Sequence, residues 1–203
     1  MTLVIGITGG IGAGKSTLSQ HLKSKGYPVH DSDEVVSGMY KKPNRSFLEL
    51  LIKNGLADAV ENKTINKKKI SSLFFKNKKT KEKLEKFIHR EVTLSRHKFI
   101  KKNTKNKNKA IFLEIPLLLE NNLENEFDLV LSILSTKKNR EKRAIVNKSF
   151  SKKTLNKIFK IQSTDKERKK RSQLIIYNNT SKKDFILSAE KALMDVIYER
   201  SSN

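Results

Sequence analysis

The sequence predicts an α/β protein built on a doubly wound parallel sheet of about five strands, and three observations predict it. A glycine-rich phosphate-loop pattern, Gly9 to Thr17, stands between an apolar run and a helical segment. Further short apolar runs recur along the chain without polar alternation, as in parallel strands covered on both faces. Longer segments with apolar residues at helical spacing separate them. At 203 residues the chain is long enough for one such core with one or two helical excursions.

Leu3-Val4-Ile5-Gly6-Ile7 reads as the first strand and Thr17 to Lys25 as the helix after the loop. Gly26-Tyr27-Pro28-Val29-His30 reads as a turn and a short second strand ending at Asp31-Ser32-Asp33, where Ser32 or Asp33 can cap a helix to about Tyr40. From Lys41 to about Lys109 the pattern is helical, with no convincing strand. Phe47, Leu48, Leu50, Leu51 and Ile52 form one apolar stripe, and Ile70, Leu73, Phe74 and Phe75 another. Leu84, Phe87, Ile88, Val92 and Leu94 lie on a long helix from Thr80 to about Asn103, followed by a polar exit loop. Ala110 to Glu114 and Leu129 to Leu134 are the third and fourth strands. A basic helical stretch fills Thr136 to Arg171, Leu174 to Tyr177 is the fifth strand, and Lys182 to Arg200 closes the chain as an amphipathic helix bearing Phe185, Ala189, Leu193 and Ile197.

Composition excludes several classes. No apolar run approaches the 18 or more residues of a membrane span, so no membrane partner is expected. The chain has no cysteine, which removes disulfides, thiol catalysis and thiolate metal sites. The loop begins at residue 9, leaving no room for a cleaved presequence, and a cytoplasmic protein is expected. The net charge of +23 invites a nucleic-acid partner. Its lysines are spread over nearly every polar stretch, though, and aromatics are not interleaved with the basic runs as a stacking platform requires. The expectation is no specific nucleic acid. The pattern carries no signal for oligomeric state.

The chemistry of the loop follows from its residue types. Gly9-Gly10-Ile11-Gly12-Ala13-Gly14-Lys15-Ser16-Thr17 fits G-x-x-x-x-G-K-[ST]. Glycines let backbone N–H groups curl around phosphate oxygens, and the helix N-terminus adds its dipole. Lys15 can reach β- and γ-phosphates, and the Ser16 hydroxyl can bind Mg²⁺. A nucleoside triphosphate site is predicted. Asp31 and Asp33 fall at the C-terminal end of a strand, on the edge of the sheet where ligands bind in open α/β folds. Such a carboxylate accepts a proton from an attacking hydroxyl or organises Mg²⁺, with Asp33 ahead of Asp31 for the base; the alternative is a helix cap and a turn residue. Glu114 closes an apolar strand, either as a Mg²⁺-ordering acid or as a solvent-facing strand end. Arg140 and Arg143, three apart, share a helix face and can close over a nucleotide or simply be solvated. His89 reads as a packed or surface residue.

The combination resembles the dephospho-CoA kinase family. The opening Thr8 to Thr17, the Asp31-Ser32-Asp33 turn, Leu113-Glu114-Ile115-Pro116-Leu117-Leu118-Leu119-Glu120, Gln162, and Ile176-Tyr177-Asn178-Asn179 all carry the likeness, in order and spacing, over nearly the whole chain. The resemblance implies a kinase core at 1–39, 106–136 and 172–203, a helical substrate-binding insertion at 40–105, and a lid at 137–171. It implies ATP as phosphoryl donor with Mg²⁺, the ribose 3′-hydroxyl of dephospho-CoA as acceptor, and CoA as product. It assigns the ATP phosphates to Gly12, Ala13, Gly14, Lys15, Ser16 and Thr17, with Gly10 and Ile11 of the same loop also binding the nucleotide. Asp33 would be the general base, Ser16, Asp31 and Glu114 the metal's residues, Arg143 and more weakly Arg140 the lid cations, and Asn178 would lie near the adenine. Three departures stand out. Arg90 follows His89 where the family has proline, Asn147 and Lys148 occupy a position where a further lid arginine is common, and Thr180 replaces a glycine. Rival readings are another P-loop nucleoside, nucleotide or small-molecule kinase and, from a different class, a nucleic-acid-dependent ATPase. A GTPase is disfavoured by the lack of N-K-x-D and D-x-x-G.

Overall fold

A computed structural model describes residues 1–67, 69–70, 78–106, 108–148 and 150–201, with the backbone alone at 147, 148 and 201. In chain order the elements begin with β1 (Leu3–Gly9), α1 (Lys15–Ser24), β2 (Val29–Asp31), α2 (Ser32–Lys41), α3 (Arg45–Lys53), β3 (Val60–Glu61), β4 (Thr64–Ile65) and α4 (Lys78–Lys105). They continue with β5 (Ala110–Glu114), β6 (Leu129–Leu134), α5 (Lys137–Lys148), α6 (Lys152–Ile161), α7 (Asp165–Arg171), β7 (Leu174–Tyr177) and α8 (Lys182–Ser201). The chain divides into two compact units, Met1–Asp31 with Ile100–Asn203, and Ser32–Phe99.

In the first unit the five apolar runs form one sheet of order β2-β5-β1-β6-β7, every pair parallel. Each residue of β5 and β6 is buried, which explains their lack of polar alternation. Register does the functional work. Asp31 and Ile7 both lie opposite Glu114, Gly9 opposite Ile133, and Leu134 opposite Tyr177. The C-terminal ends of all five strands therefore share one edge, where ligands sit in such sheets. Beneath it Ile5, Ile7, Leu18, Leu22, Phe112, Leu131 and Phe185 are at most 1% exposed, each contributing about 1.5–3 kcal/mol by its burial. The α8 stripe Phe185, Ala189, Leu193 and Ile197 packs into the same core at its four-residue spacing.

The basic stretch after β6 breaks into three helices because it contains two caps. Ser151 accepts the Thr154 N–H at 3.2 Å to open α6, and Thr164 with Glu167 makes a reciprocal capping box at α7.

The second unit has its own core of Tyr40, Phe47, Leu51, Leu56, Ala59, Ile65, Ile70 and Leu84. Asn44 caps α3 through the Phe47 N–H at 2.8 Å, and the Phe47 ring stacks on Phe87 with centroids 5.2 Å apart. The expectation of no strand here is corrected: β3 and β4 form an antiparallel hairpin. Its two-residue turn places Asn62 and Lys63 at φ 47° and 62°, the left-handed pair that matches hairpin twist. Of the apolar stripes, Ile52 and Leu94 turn outward, at 60% and 45% exposure. Leu73, Phe74 and Phe75 lie outside the described residues. Among the described residues no helix is long and apolar enough to cross a membrane.

Candidate active site

The loop after β1 is shaped by what packs on it. Gly12 (φ 72°) has the Arg140 backbone carbonyl where a side chain would stand, and Gly14 (φ 114°) has the Asn178 amide there. Both positions need glycine twice over, for the left-handed backbone and for the close approach. Lys15 Nζ donates to the carbonyls of Gly9 at 2.9 Å and Gly10 at 3.4 Å, so its charge sits at the mouth of the loop. The Ile11 N–H donates to Gln162 Oε1 at 2.9 Å. Over this loop lies a cavity of about 350 Å³ bordered by Gly12, Gly14, Lys15, Ser16, Thr17 and Arg143.

Ser16, in the first turn of α1, donates its hydroxyl to Glu114 Oε1 at 3.0 Å. Glu114 is 2% exposed, and its Oε2 has no hydrogen-bond partner. Burial pushes its carboxyl above the ordinary value and the Asp31 charge adds to that, while the Ser19 hydroxyl, Lys15 and Ser16 work against it. A hydroxyl and two carboxylates form a hard oxygen donor set, which suits Mg²⁺, and the unsatisfied Oε2 leaves a place for a cation. Among the described residues no group of three His, Asp or Glu gathers to hold a metal by side chains alone. Mg²⁺, which keeps waters and substrate oxygens, does not require one.

Arg143 is a hub. Its Nη1 and Nη2 each donate to the Asn178 carbonyl at 3.1 Å, Nη2 reaches Asn178 Oδ1 at 3.1 Å, and Nη1 reaches Ser135 Oγ at 3.3 Å and the Gly12 carbonyl at 3.5 Å. Asn178 Nδ2 in turn donates to the Ala13 carbonyl at 2.7 Å. Arg143 also borders a second hollow of about 300 Å³, with Asn139, Lys142, Val146, Asn179 and Thr180. Arg140 lies nearer the loop, its guanidinium against Gly10, over the Phe159 ring at 5.4 Å and 3.8 Å from Asp165.

The first unit thus brings together Gly10 to Thr17, Asp31, Glu114, Arg140, Arg143 and Asn178. Asp33 is in the first turn of α2, in the Ser32–Phe99 unit. His89 is exposed, and Arg90 covers the Phe87 ring at 5.3 Å. Sequence reasoning assigned no site role to Ser135 or Asn179, although Asn179 Oδ1 accepts from Ser135 Oγ at 3.1 Å and from the Thr136 N–H at 2.9 Å. The signal was there: both pairs follow strands ending at the loop's edge of the sheet.

A further hollow, of about 330 Å³, lies among Met1, Leu3, Lys109, Asp128 and Arg200 at the opposite edge of the sheet. Its acid is engaged structurally, since Asp128 Oδ2 accepts the Val4 N–H at 2.7 Å.

A family model described as dephospho-CoA kinase matches residues 3–184. A dephospho-CoA kinase of Fusobacterium nucleatum subsp. nucleatum is 32% identical over 192 residues, covering 93% of this chain and 96% of the relative. Among solved structures, TT1252 from Thermus thermophilus superposes with a TM-score of 0.76 at 28% identity, over 96% of this chain and 97% of that one. A dephospho-CoA kinase from Campylobacter jejuni shares the fold with a TM-score of 0.75 at 24% identity, over 98% and 100% of the two chains.

Proposed function

The chain belongs to the dephospho-CoA kinase family, and from that premise we propose how its own residues transfer the γ-phosphate of ATP to the ribose 3′-hydroxyl of dephospho-CoA. The protein is an ATP-dependent kinase of coenzyme A biosynthesis acting on a small-molecule substrate. The observation that carries the residue assignments is the loop's convergence with Ser16, Glu114 and Arg143 at one sheet edge.

Gly10 to Thr17 hold the triphosphate through backbone N–H groups and the α1 N-terminus. Lys15 exchanges its carbonyl contacts for β- and γ-phosphate oxygens. Ser16, Asp31 and Glu114 would hold Mg²⁺, which when bound neutralises charge on those oxygens. Asp33, two residues beyond Asp31, accepts the proton of the attacking 3′-hydroxyl, the role the family likeness of Asp31-Ser32-Asp33 supports. Arg143 and Arg140 stabilise the charge that spreads over the transferring group. Asn178 supports the nucleotide by tying Ala13 to Arg143, and the hollow beside Asn179 and Thr180 suits the adenine.

Residues 40–105 form the acceptor-binding insertion and residues 137–171 the lid. The protein works in the cytoplasm without a specific nucleic acid or membrane partner, its basic surface gathering polyanionic small substrates.

Incubation of the pure protein with ATP, Mg²⁺ and dephospho-CoA tests this reading. The expected product is the 3′-phosphate, identical to CoA by mass and chromatography. Its absence overturns the assignment.

A further inference from the structure

The Ile11 N–H sits in the middle of the phosphate loop, yet its partner is the side chain of Gln162, 151 positions later. Gln162 ends α6, and the residue after it is gripped on both sides. The Ser163 N–H donates to Glu120 Oε1 at 2.6 Å, and the Ser163 carbonyl accepts from Arg168 Nη1. Arg168 Nη2 closes the ring by donating to the same Glu120 oxygen at 3.2 Å. The side chains of Arg168 and Glu120 are 1% and 13% exposed. Arg168 also lies 3.8 Å from Asp165, which is 3.8 Å from Arg140, the residue whose guanidinium rests on Gly10. Gly10 and Ile11 are therefore held from outside by Arg140 and Gln162, and both trace back to one buried ion pair.

Such a pair is a weak source of stability, because desolvation offsets most of its Coulomb attraction. What it provides here is direction. Two hydrogen bonds fix the Ser163 backbone, a third ties the Glu120 and Arg168 side chains together, and from the residue beside it the Gln162 amide accepts the Ile11 N–H. We propose that Gln162 is a positioning residue for the phosphate loop and that Glu120 and Arg168 are the buried anchor that fixes it. None of the three touches substrate in this scheme. They act through the Ile11 backbone on the geometry that the triphosphate meets, so their effect belongs to the nucleotide end of the reaction. The inference rests on the kinase reading of the loop.

The test uses the full-length enzyme with Gln162→Ala, Glu120→Gln and the double variant. Gln162→Ala should lower kcat/KM for ATP by about tenfold or more, since small misplacements of catalytic groups cost up to about a hundredfold. KM for dephospho-CoA should stay within about twofold and the melting temperature within about 2 °C, because the side chain is only half-buried. Glu120→Gln should add little to the loss already caused by Gln162→Ala, the signature of residues acting through one another. Arg168→Lys, which keeps the charge but loses the planar fork, should retain part of the activity. A Gln162→Ala enzyme with kcat/KM for ATP within about twofold of the parent overturns the proposal whether or not Glu120→Gln folds, and so does additivity in the double variant. If the parent enzyme proves inactive on dephospho-CoA, the kinase reading has failed. Binding of a fluorescent ATP analogue to Gln162→Ala and parent then decides the positioning role: weaker binding by the variant supports it, and equal binding refutes it.

Discussion

Glu114→Gln should make the ligand-free protein more stable at alkaline pH while impairing the enzyme. Glu114 is 2% exposed, with Oε1 on the Ser16 hydroxyl and Oε2 unpartnered. Burial, helped by the Asp31 charge, raises its carboxyl above the ordinary 4.5. A raised native value means that the fold favours the neutral acid. That contribution to stability is complete below about pH 4.5 and is lost as the pH climbs through the raised native value, because a carboxylate must then exist in a dry site. Glutamine has nearly the same shape, keeps an oxygen for Ser16 and never ionises. The melting-temperature gap, variant minus parent, should therefore be small near pH 4.5 and widen towards pH 8. An unsatisfied buried polar group costs about 1–3 kcal/mol, and one kcal/mol is about 2–4 °C for a chain of this size, so a gain of about 2–12 °C is expected at about pH 8. Thermal melts by circular dichroism at three pH values, without nucleotide or Mg²⁺, measure it. The same variant should need about 10–100-fold more Mg²⁺ for half-maximal rate. A gap that does not change with pH, or a variant less stable than the parent at about pH 8, would refute the reasoning.

Lys15→Ala should keep the fold and lower turnover by about a hundred- to thousandfold, the usual consequence of removing one well-placed electrostatic contact; near-normal activity in a folded variant removes the loop assignment. Asp33→Asn should lower turnover by about a hundred- to ten-thousandfold with little change in ATP or Mg²⁺ affinity. Asp31→Asn should instead raise the Mg²⁺ requirement, and the reverse pattern would exchange the two roles. RNA or DNA should bind weakly, with steep salt dependence and no sequence preference, and should not stimulate ATP hydrolysis. Strong stimulation at physiological salt would favour a nucleic-acid-dependent ATPase.

The centre of the sheet was legible because β5 and β6 are buried on both faces: Ala110 to Glu114 and Leu129 to Leu134 appear where the runs predict them. The helix α4 was also read to within two residues at each end, from its periodic apolar positions. The β3–β4 hairpin was not legible. Each strand is two residues long, and Asn62-Lys63 lacks the glycine that usually marks a left-handed turn. At the site, residue types marked the loop, Glu114 and the arginines, since phosphate chemistry demands those groups. Their partners could not be read. Asn178 meets Ala13 across 165 positions and Gln162 meets Ile11 across 151, distances at which local pattern carries no information. Arg143 illustrates the difference: its place on a helix face was legible, while its five contacts with Asn178, Ser135 and Gly12 needed the fold.

The central claim concerns the acceptor, and competing acceptors test it most directly. The kcat/KM of the pure enzyme should be measured with ATP and Mg²⁺ for dephospho-CoA, adenosine, AMP and shikimate in turn. Binding energy from the pyrophosphate and pantetheine arm, remote from the reacting hydroxyl, should place the ribose for attack and favour dephospho-CoA by about a hundredfold or more. Equal or faster phosphorylation of AMP, adenosine or shikimate would contradict the account.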